Sequence, residues 1–165
     1  MTRRFPNLRV VFEHISTSDA VNFVNDQNEN VVASVTPQHL AYNRNNLLAG
    51  KLRPHKYCAP LLKKEADRSA LVHAVTADSN EKFFLGTDSA PHLIDEKESS
   101  CGCAGCFSAP YALAKYAEVF SAESKLENLE NFASLNGAKF YGLPVNKEKL
   151  KPVSYTHLRA HETPC

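Results

Sequence analysis

Ionisable side chains follow two short β-prone segments, at the point where each segment ends. His14 comes shortly after the run 8–12, and Asp88 comes shortly after the apolar run 83–85. Parallel strands of one sheet bring their carboxyl ends to the same edge, so these two side chains are expected to lie together. Imidazole and carboxylate are both good zinc ligands, although a catalytic zinc normally takes three from the protein. The position of Asp88 after a strand therefore predicts a catalytic or metal-binding role. The alternative is that Asp88 has a structural role and only caps the next turn.

The loop that follows contains three closely spaced cysteines, Cys101, Cys103 and Cys106, in the pattern C-x-C-x-x-C. This pattern is compatible with a structural zinc or an iron–sulfur cluster, and both usually need four ligands. Cys58 is a candidate fourth ligand, although no spacing requires it. The alternative is a packed loop punctuated by glycine, in which the thiols behave as small apolar groups. His92, at the start of the same loop, is by itself more typical of a structural residue.

Composition excludes several classes of partner. The chain has 165 residues, a formal charge of +1 and interleaved acidic and basic residues, which gives no basic stripe for nucleic acid. No apolar run approaches the roughly 20 residues that span a bilayer, and the first residues lack the apolar core of a signal peptide. Three of the five cysteines fall within six residues, which favours a reducing compartment over a disulfide framework. We therefore predict a cytoplasmic protein without nucleic-acid or membrane partners.

Apolar periodicity predicts strands that alternate with helices. The predicted strands are 8–12, 31–36 and 82–85. Helices are predicted after a cap at Ser16 or Thr17, from Pro60 onward, from Ala109 onward, and over a segment that ends at 136–137. Segment 41–56 is predicted to be a long loop with a helical turn, and 140–144 an aromatic turn packed on the core. The alternation indicates a parallel α/β sheet, either doubly wound or part of a (β/α)8 barrel.

Six short blocks resemble the bacterial-type (class II) dihydroorotases of pyrimidine synthesis. They occur in the order of that family, between Phe5 and about Lys151. The blocks are FEHIST at 12–17, TPQHL at 36–40, RPHKYC at 53–58, GTDSAPH at 86–92, KESSCGCAGC at 97–106 and FYGLP at 140–144. Because the blocks occur together and in order, the resemblance is far more specific than any one motif.

The resemblance implies a fold and a set of site residues. The family forms a (β/α)8 TIM barrel of the metal-dependent amidohydrolase type, and this chain would be its C-terminal part, about three strands of eight. Two zinc ions at the rim are bridged by a carboxylated lysine. His14 would be a ligand of one zinc, and Asp88 a ligand of the other and the proton carrier. His92 would bind the substrate carboxylate, and the backbone at Ala59 and Ala104 would hold the substrate ring.

The implied reaction is the reversible cyclisation of N-carbamoyl-L-aspartate to dihydroorotate, and the family commonly forms homodimers. Two alternatives remain open. One is a non-enzymatic fragment whose cysteine loop binds a metal or a partner. The other is a different cyclic amidohydrolase, such as a hydantoinase, although the GTDSAPH and CGCAGCF blocks argue against it.

The sequence also departs from the family at both ends. The family's His-x-His strand and bridging lysine precede the point where this sequence begins, so we expect 1–152 to be the C-terminal portion of a barrel. Met1 would be an internal start or the result of a truncated reading frame. Segment 153–165 does not continue the family pattern, and 154–164 resembles a translated sequencing adapter. His157 and His161 share helical spacing, which is not enough for a metal site. We expect the chain alone to be aggregation-prone and inactive.

Overall fold

A three-stranded parallel sheet forms the centre of the fold. The structure is a computed structural model that describes residues 4–150. The strands are β1 (Val10–Phe12), β2 (Val31–Val35) and β3 (Phe83–Leu85), in the order β1-β2-β3. Val10 pairs with Val31 and Ala33 pairs with Phe83. All three strands and the α/β class are predicted correctly, and the central β2 is buried along its whole length, as its β-branched sequence favours.

Seven α-helices connect and cover the described strands. They are α1 (Ser18–Asn25), α2 (Pro37–Ala41), α3 (Arg44–Leu48), α4 (Glu65–Thr76), α5 (Ile94–Lys97), α6 (Ala112–Ala122) and α7 (Asn136–Tyr141). Short 3-10 turns lie at Pro54–Lys56, Ala109–Tyr111 and Leu126–Asn128, and Asn131–Leu135 is a π-helical turn. Thr17 is the cap of α1, because its hydroxyl oxygen accepts a hydrogen bond from the Ala20 amide at 3.1 Å. Between residues 4 and 150, no helix has the length and apolarity required to cross a membrane.

Aromatic side chains join α6 to the sheet. Tyr116, Phe120 and Phe132 are fully buried, and the Phe132 ring lies 5.1 Å from that of Tyr116 and 5.4 Å from that of Phe120. The Tyr116 hydroxyl donates to the Val35 carbonyl at 2.8 Å, where β2 ends. Burial raises the pKa of Tyr116, so this hydroxyl stays protonated and continues to donate. The core therefore fixes the carboxyl end of the central strand.

Two predicted helix boundaries are wrong. The helix expected from Pro60 begins at Glu65, and the helix expected to end at 136–137 continues as α7. Asn136 does not act as a stop signal, because its side-chain amide donates to the carbonyls of Asn80 and Phe83, each at 3.0 Å. The helix ends instead at Gly142, whose φ of 67° is left-handed.

The aromatic segment at 140–144 also differs from its prediction. Phe140 and Tyr141 lie on the last turn of α7, and their rings are 6.4 and 6.0 Å from that of Phe84. The expected contact with the sheet is therefore present, but a helix rather than a turn makes it. The boundary predicted at 152/153 and the adapter-like segment 154–164 lie outside the described residues.

Candidate active site

The backbone at His14 turns sharply where β1 ends. Its φ is 56°, in the left-handed region that non-glycine residues seldom adopt. The His14 amide donates to the Ser34 hydroxyl oxygen at 2.9 Å, and that hydroxyl donates to the Glu13 carboxylate at 2.6 Å. Ser34 lies on β2 and is 1% exposed. The buried serine thus holds both residues that follow β1, and sequence reasoning identified neither Ser34 nor Glu13 as part of the site.

Asp88 follows β3 and has an equally unusual backbone, with a φ of 44°. Gly86 allows this end of β3 to approach β2 closely. A Cβ atom at Gly86 would lie 2.7 Å from the Ser34 Cβ and 3.6 Å from the His14 Cδ2. Any side chain there would collide with β2, so glycine is required for close packing beneath His14.

The two turns place His14 and Asp88 at the same edge of the sheet. The His14 Nδ1 lies 3.7 Å from the Asp88 Oδ2, and its Nε2 lies 3.5 Å from the Glu13 Oε2. The His14 and Asp88 side chains are 24% and 30% exposed, so both are open to solvent. Left-handed backbone at non-glycine residues costs on the order of 1–3 kcal/mol each and is concentrated at functional sites. The fold therefore maintains strained backbone at both members of the pair.

The donor set fits one side of a zinc site. An imidazole nitrogen and a carboxylate oxygen 3.7 Å apart are suitable ligands, and neither His14 nitrogen makes a short hydrogen bond that would compete with a metal. His39 contrasts with His14, because both nitrogens of its ring have close partners. Two donors are fewer than the three that a catalytic zinc normally takes from the protein.

The two residues predicted to face the substrate from the cysteine loop are in contact. The His92 Nε2 donates to the Ala104 carbonyl at 3.2 Å. Gly105 makes this approach possible, since a Cβ atom there would lie 2.9 Å from the His92 Nε2 and 2.7 Å from the Ala90 Cβ. Ser89 and Cys106 also pair as an isolated parallel bridge. The segment after Asp88 is therefore folded back against the cysteine loop.

Lys97 joins this loop to the segment that carries Ala59. Its ammonium group donates to the carbonyls of Tyr57, Cys103 and Gly105 at 3.2, 2.7 and 2.9 Å. The residue is 4% exposed, and burial lowers the pKa of its ammonium group. Sequence reasoning missed Lys97, because a lysine within a polar run is ordinarily solvated.

The cysteines form two separate pairs rather than one four-cysteine site. Cys101 and Cys103 lie towards the surface with their sulfur atoms 3.9 Å apart. Cys58 and Cys106 are buried in one cluster, where their thiols donate to the carbonyls of Pro60 and His55 at 3.3 and 3.5 Å. The proximity of Cys106 together with burial raises the pKa of Cys58. All four are free thiols. The structural zinc or iron–sulfur site considered from the C-x-C-x-x-C pattern is therefore not formed, because Cys106 turns inward.

Both the sequence and the fold of the chain are similar to those of known dihydroorotases. No protein-family model matches the chain. A dihydroorotase of Idiomarina loihiensis is 56% identical over 153 residues, which cover 93% of this chain and 44% of that protein. Crystal structures of the dihydroorotases of Campylobacter jejuni and Saccharomyces cerevisiae match with TM-scores of 0.78 and 0.79 at 38% and 33% identity. They align with 90% and 87% of this chain, and with 42% and 41% of their own chains.

The chain is a homologue of the dihydroorotases. The family resemblance of its six sequence blocks is thereby confirmed. This dihydroorotase homologue spans less than half the length of the relatives that it matches. An L-hydantoinase of Arthrobacter aurescens also matches, with a TM-score of 0.69 at 20% identity, which indicates a shared fold alone. Among cyclic amidohydrolases, the sequence is therefore closer to the dihydroorotases than to the hydantoinases.

His39 of this dihydroorotase homologue has a positioning role, because both nitrogens of its ring make hydrogen bonds. Its Nε2 donates to the Pro60 carbonyl at 2.8 Å, and its Nδ1 lies 2.6 Å from the Thr36 hydroxyl. A carbonyl only accepts, so the neutral ring carries its proton on Nε2 and accepts from Thr36 on Nδ1. His39 thus ties the Ala59–Pro60 segment to the end of β2.

Protonation of His39 is expected to destabilise the fold. Burial lowers the pKa of His39 below its ordinary value of 6.5, so the unfolded chain binds this proton more readily than the folded chain. The stabilisation of the fold by neutral His39 is complete above the pKa of His39 in the unfolded chain. It is lost as the pH falls through the lower pKa of His39 in the folded chain. We expect the urea midpoint to fall between about pH 7.5 and about pH 5.5, and to fall less in His39→Gln. Exposed His73 provides the control, and an equal pH dependence in His39→Gln and His73→Gln would contradict this role.

Proposed function

We propose that this chain is the C-terminal portion of a dihydroorotase, a zinc-dependent cyclic amidohydrolase. Its substrates would be N-carbamoyl-L-aspartate and dihydroorotate. The observation that carries the proposal is the approach of His14 and Asp88 to 3.7 Å at the carboxyl edge of the sheet, in a chain homologous to dihydroorotases. The three parallel strands would be part of a (β/α)8 barrel, whose catalytic groups lie at this edge. A cytoplasmic homodimer is the form that we propose for the intact protein.

His14 and Asp88 would hold the zinc ions from this side of the site. The other ligands, including the carboxylated lysine, would come from the part of the relatives' length that this chain does not span. When bound, the zinc ions lower the pKa of a coordinated water and polarise the amide carbonyl of the substrate. The left-handed turns at His14 and Asp88 bring both side chains to this edge of the sheet.

Asp88 would act as the general base and then as the general acid. In the hydrolytic direction, water adds to the amide carbonyl carbon of the dihydroorotate ring, and Asp88 accepts the proton that this water releases. The carbon–nitrogen bond of the ring then breaks, and Asp88 delivers the same proton to the leaving nitrogen. The partial exposure of Asp88 suits this role, because the carboxylate must reach a substrate that enters from solvent. Cyclisation follows the same steps in reverse.

His92 and two backbone segments would bind the substrate. His92 would pair with the substrate carboxylate, and the backbone at Ala104 and Ala59 would hydrogen-bond to the ring. The contact between His92 and the Ala104 carbonyl supports a common binding surface, and the Lys97 bridge connects that surface to the segment containing Ala59. The substrate would therefore lie between the cysteine loop and the edge of the sheet that carries Asp88.

A hybrid enzyme tests the proposed function. In this hybrid, residues 5–150 of this chain would replace the matching segment of the Idiomarina loihiensis dihydroorotase. We expect the hybrid to hydrolyse dihydroorotate and to leave hydantoin intact, as followed by chromatography of substrate and product. The 165-residue chain alone is expected to be inactive, because its described residues would supply His14 and Asp88 alone to the catalytic metal site. Hydantoin hydrolysis without dihydroorotate hydrolysis would favour the hydantoinase alternative and contradict the proposal.

A further inference from the structure

We propose that His92, Glu96 and Cys103, assisted by Cys101, form a second divalent-cation site at the surface of the cysteine loop, separate from the His14–Asp88 pair. One ligand atom from each of the first three residues lies within 4.8 Å of the others. Cys101 is not part of this close group, but its sulfur lies 3.9 Å from that of Cys103 and is the proposed fourth donor. Nitrogen, oxygen and sulfur donors together favour zinc or cobalt over calcium or magnesium.

The hydrogen bonding of His92 is that of a metal ligand. Its Nε2 donates to the Ala104 carbonyl at 3.2 Å, so the neutral ring must present a bare lone pair on Nδ1. That Nδ1 lies 3.9 Å from the Glu96 Oε2, which also presents lone pairs. A cation between the two atoms would satisfy both. Histidines that bind metals commonly donate their other ring nitrogen to a backbone carbonyl, which fixes the tautomer and the orientation of the ring.

The backbone arranges these donors in advance. Glu96 lies on α5, and its carboxylate accepts from the Leu93 amide at 3.2 Å, which directs it back towards His92. The Cys103 carbonyl is held by Lys97 at 2.7 Å, and Cys103 itself has a left-handed φ of 26°. Because Lys97 is buried, it fixes the backbone position from which the Cys103 side chain projects.

The site is open to solvent and shares His92 with the proposed substrate pocket. His92, Glu96 and Cys101 are exposed, so a metal ion can enter without local unfolding. If His92 binds the substrate carboxylate, metal at this site would compete with substrate, and this consequence rests on the proposed function. Metal binding at this site does not depend on the proposed function, so an experiment can reject either proposal without rejecting the other.

Cobalt titration of the reduced, soluble 165-residue chain tests the site directly. Thiolate ligands give Co²⁺ an intense near-ultraviolet charge-transfer absorption that histidine and carboxylate ligands do not give. We expect this absorption to saturate with cobalt and to disappear when Zn²⁺ is added. Cys103→Ser and His92→Gln should each weaken cobalt binding by about 10- to 100-fold or more. Lys97→Met should also weaken binding, because it releases the Cys103 backbone.

Two control variants separate this site from other metal ligands in the chain. The double variant His14→Asn/Asp88→Asn removes the proposed catalytic ligands and should leave the charge-transfer absorption unchanged. The triple variant His157→Asn/His161→Asn/Cys165→Ser removes the histidines and the cysteine beyond the described residues and should also leave the absorption unchanged. The proposal is overturned if the parent chain gives no such absorption, if Cys103→Ser retains the full signal, or if either control loses it.

Discussion

Asp88→Asn in the hybrid is expected to lower kcat for dihydroorotate hydrolysis by about 100- to 10,000-fold, the usual contribution of a positioned general acid–base. Asparagine retains a carbonyl oxygen that can approach a metal, but it cannot accept and return the proton. It is also among the residues that best tolerate a left-handed backbone, so the φ of 44° at this position can be preserved. Initial rates at saturating substrate measure the effect.

Asp95 provides a matched control for this prediction. It lies in the first turn of α5, is exposed, and undergoes the same chemical change in Asp95→Asn. The control should keep the kcat of the parent hybrid. Zinc content and circular dichroism should be compared in both variants, so that a loss of metal or of fold is recognised. An Asp88→Asn hybrid with normal kcat would exclude Asp88 as the proton carrier.

Lys97→Met is expected to disrupt the cysteine loop. Methionine fills much of the volume but leaves the carbonyls of Cys103 and Gly105 without this buried donor, whereas the Tyr57 carbonyl keeps the Gly105 amide. Each unsatisfied group costs about 1–3 kcal/mol, so the variant should lose about 2 kcal/mol or more of unfolding free energy. Urea denaturation monitored by circular dichroism measures this loss. Lys51→Met, at an exposed position, should lose little stability.

Thiol reactivity measures locally how far Lys97→Met disrupts the cysteine loop. In a Cys165→Ser background, Cys101 and Cys103 should react rapidly with Ellman's reagent, while the buried Cys58 and Cys106 should react slowly. Lys97→Met should make the buried pair react rapidly as well. Continued protection of Cys58 and Cys106 would mean that the loop is held by its other contacts, such as the hydrogen bond from the Gly105 amide to the Tyr57 carbonyl at 2.9 Å.

The sheet and the meeting of His14 with Asp88 were predictable, because both depend on local signals. Short apolar runs marked the strands, and parallel strands bring the residues after their carboxyl ends to one edge. Gly86 carried a further signal, since a glycine directly after a buried strand often allows close backbone approach. The Ser34 hydroxyl that holds His14 was not predictable, because its direction depends on strand pairing.

Long-range side-chain contacts account for what sequence reasoning missed. Lys97 is buried because three carbonyls from two separate segments converge on it, and no local pattern reports that convergence. Cys106 turns inward towards Cys58, which lies 48 positions earlier in the sequence, so the cysteine spacing alone suggested the wrong grouping. Asn136 resembles a helix stop in sequence but is anchored beneath β3 by its side chain.

Zinc content of the hybrid tests most directly whether His14 and Asp88 form one side of a metal site. The measurement should use a Cys101→Ser/Cys103→Ser background, so that the cysteine loop does not contribute metal, and elemental mass spectrometry after gel filtration. We expect the parent hybrid to retain its zinc pair, and His14→Ala to lose zinc while His73→Ala, an exposed control, does not. Full zinc retention in His14→Ala would contradict the proposed site.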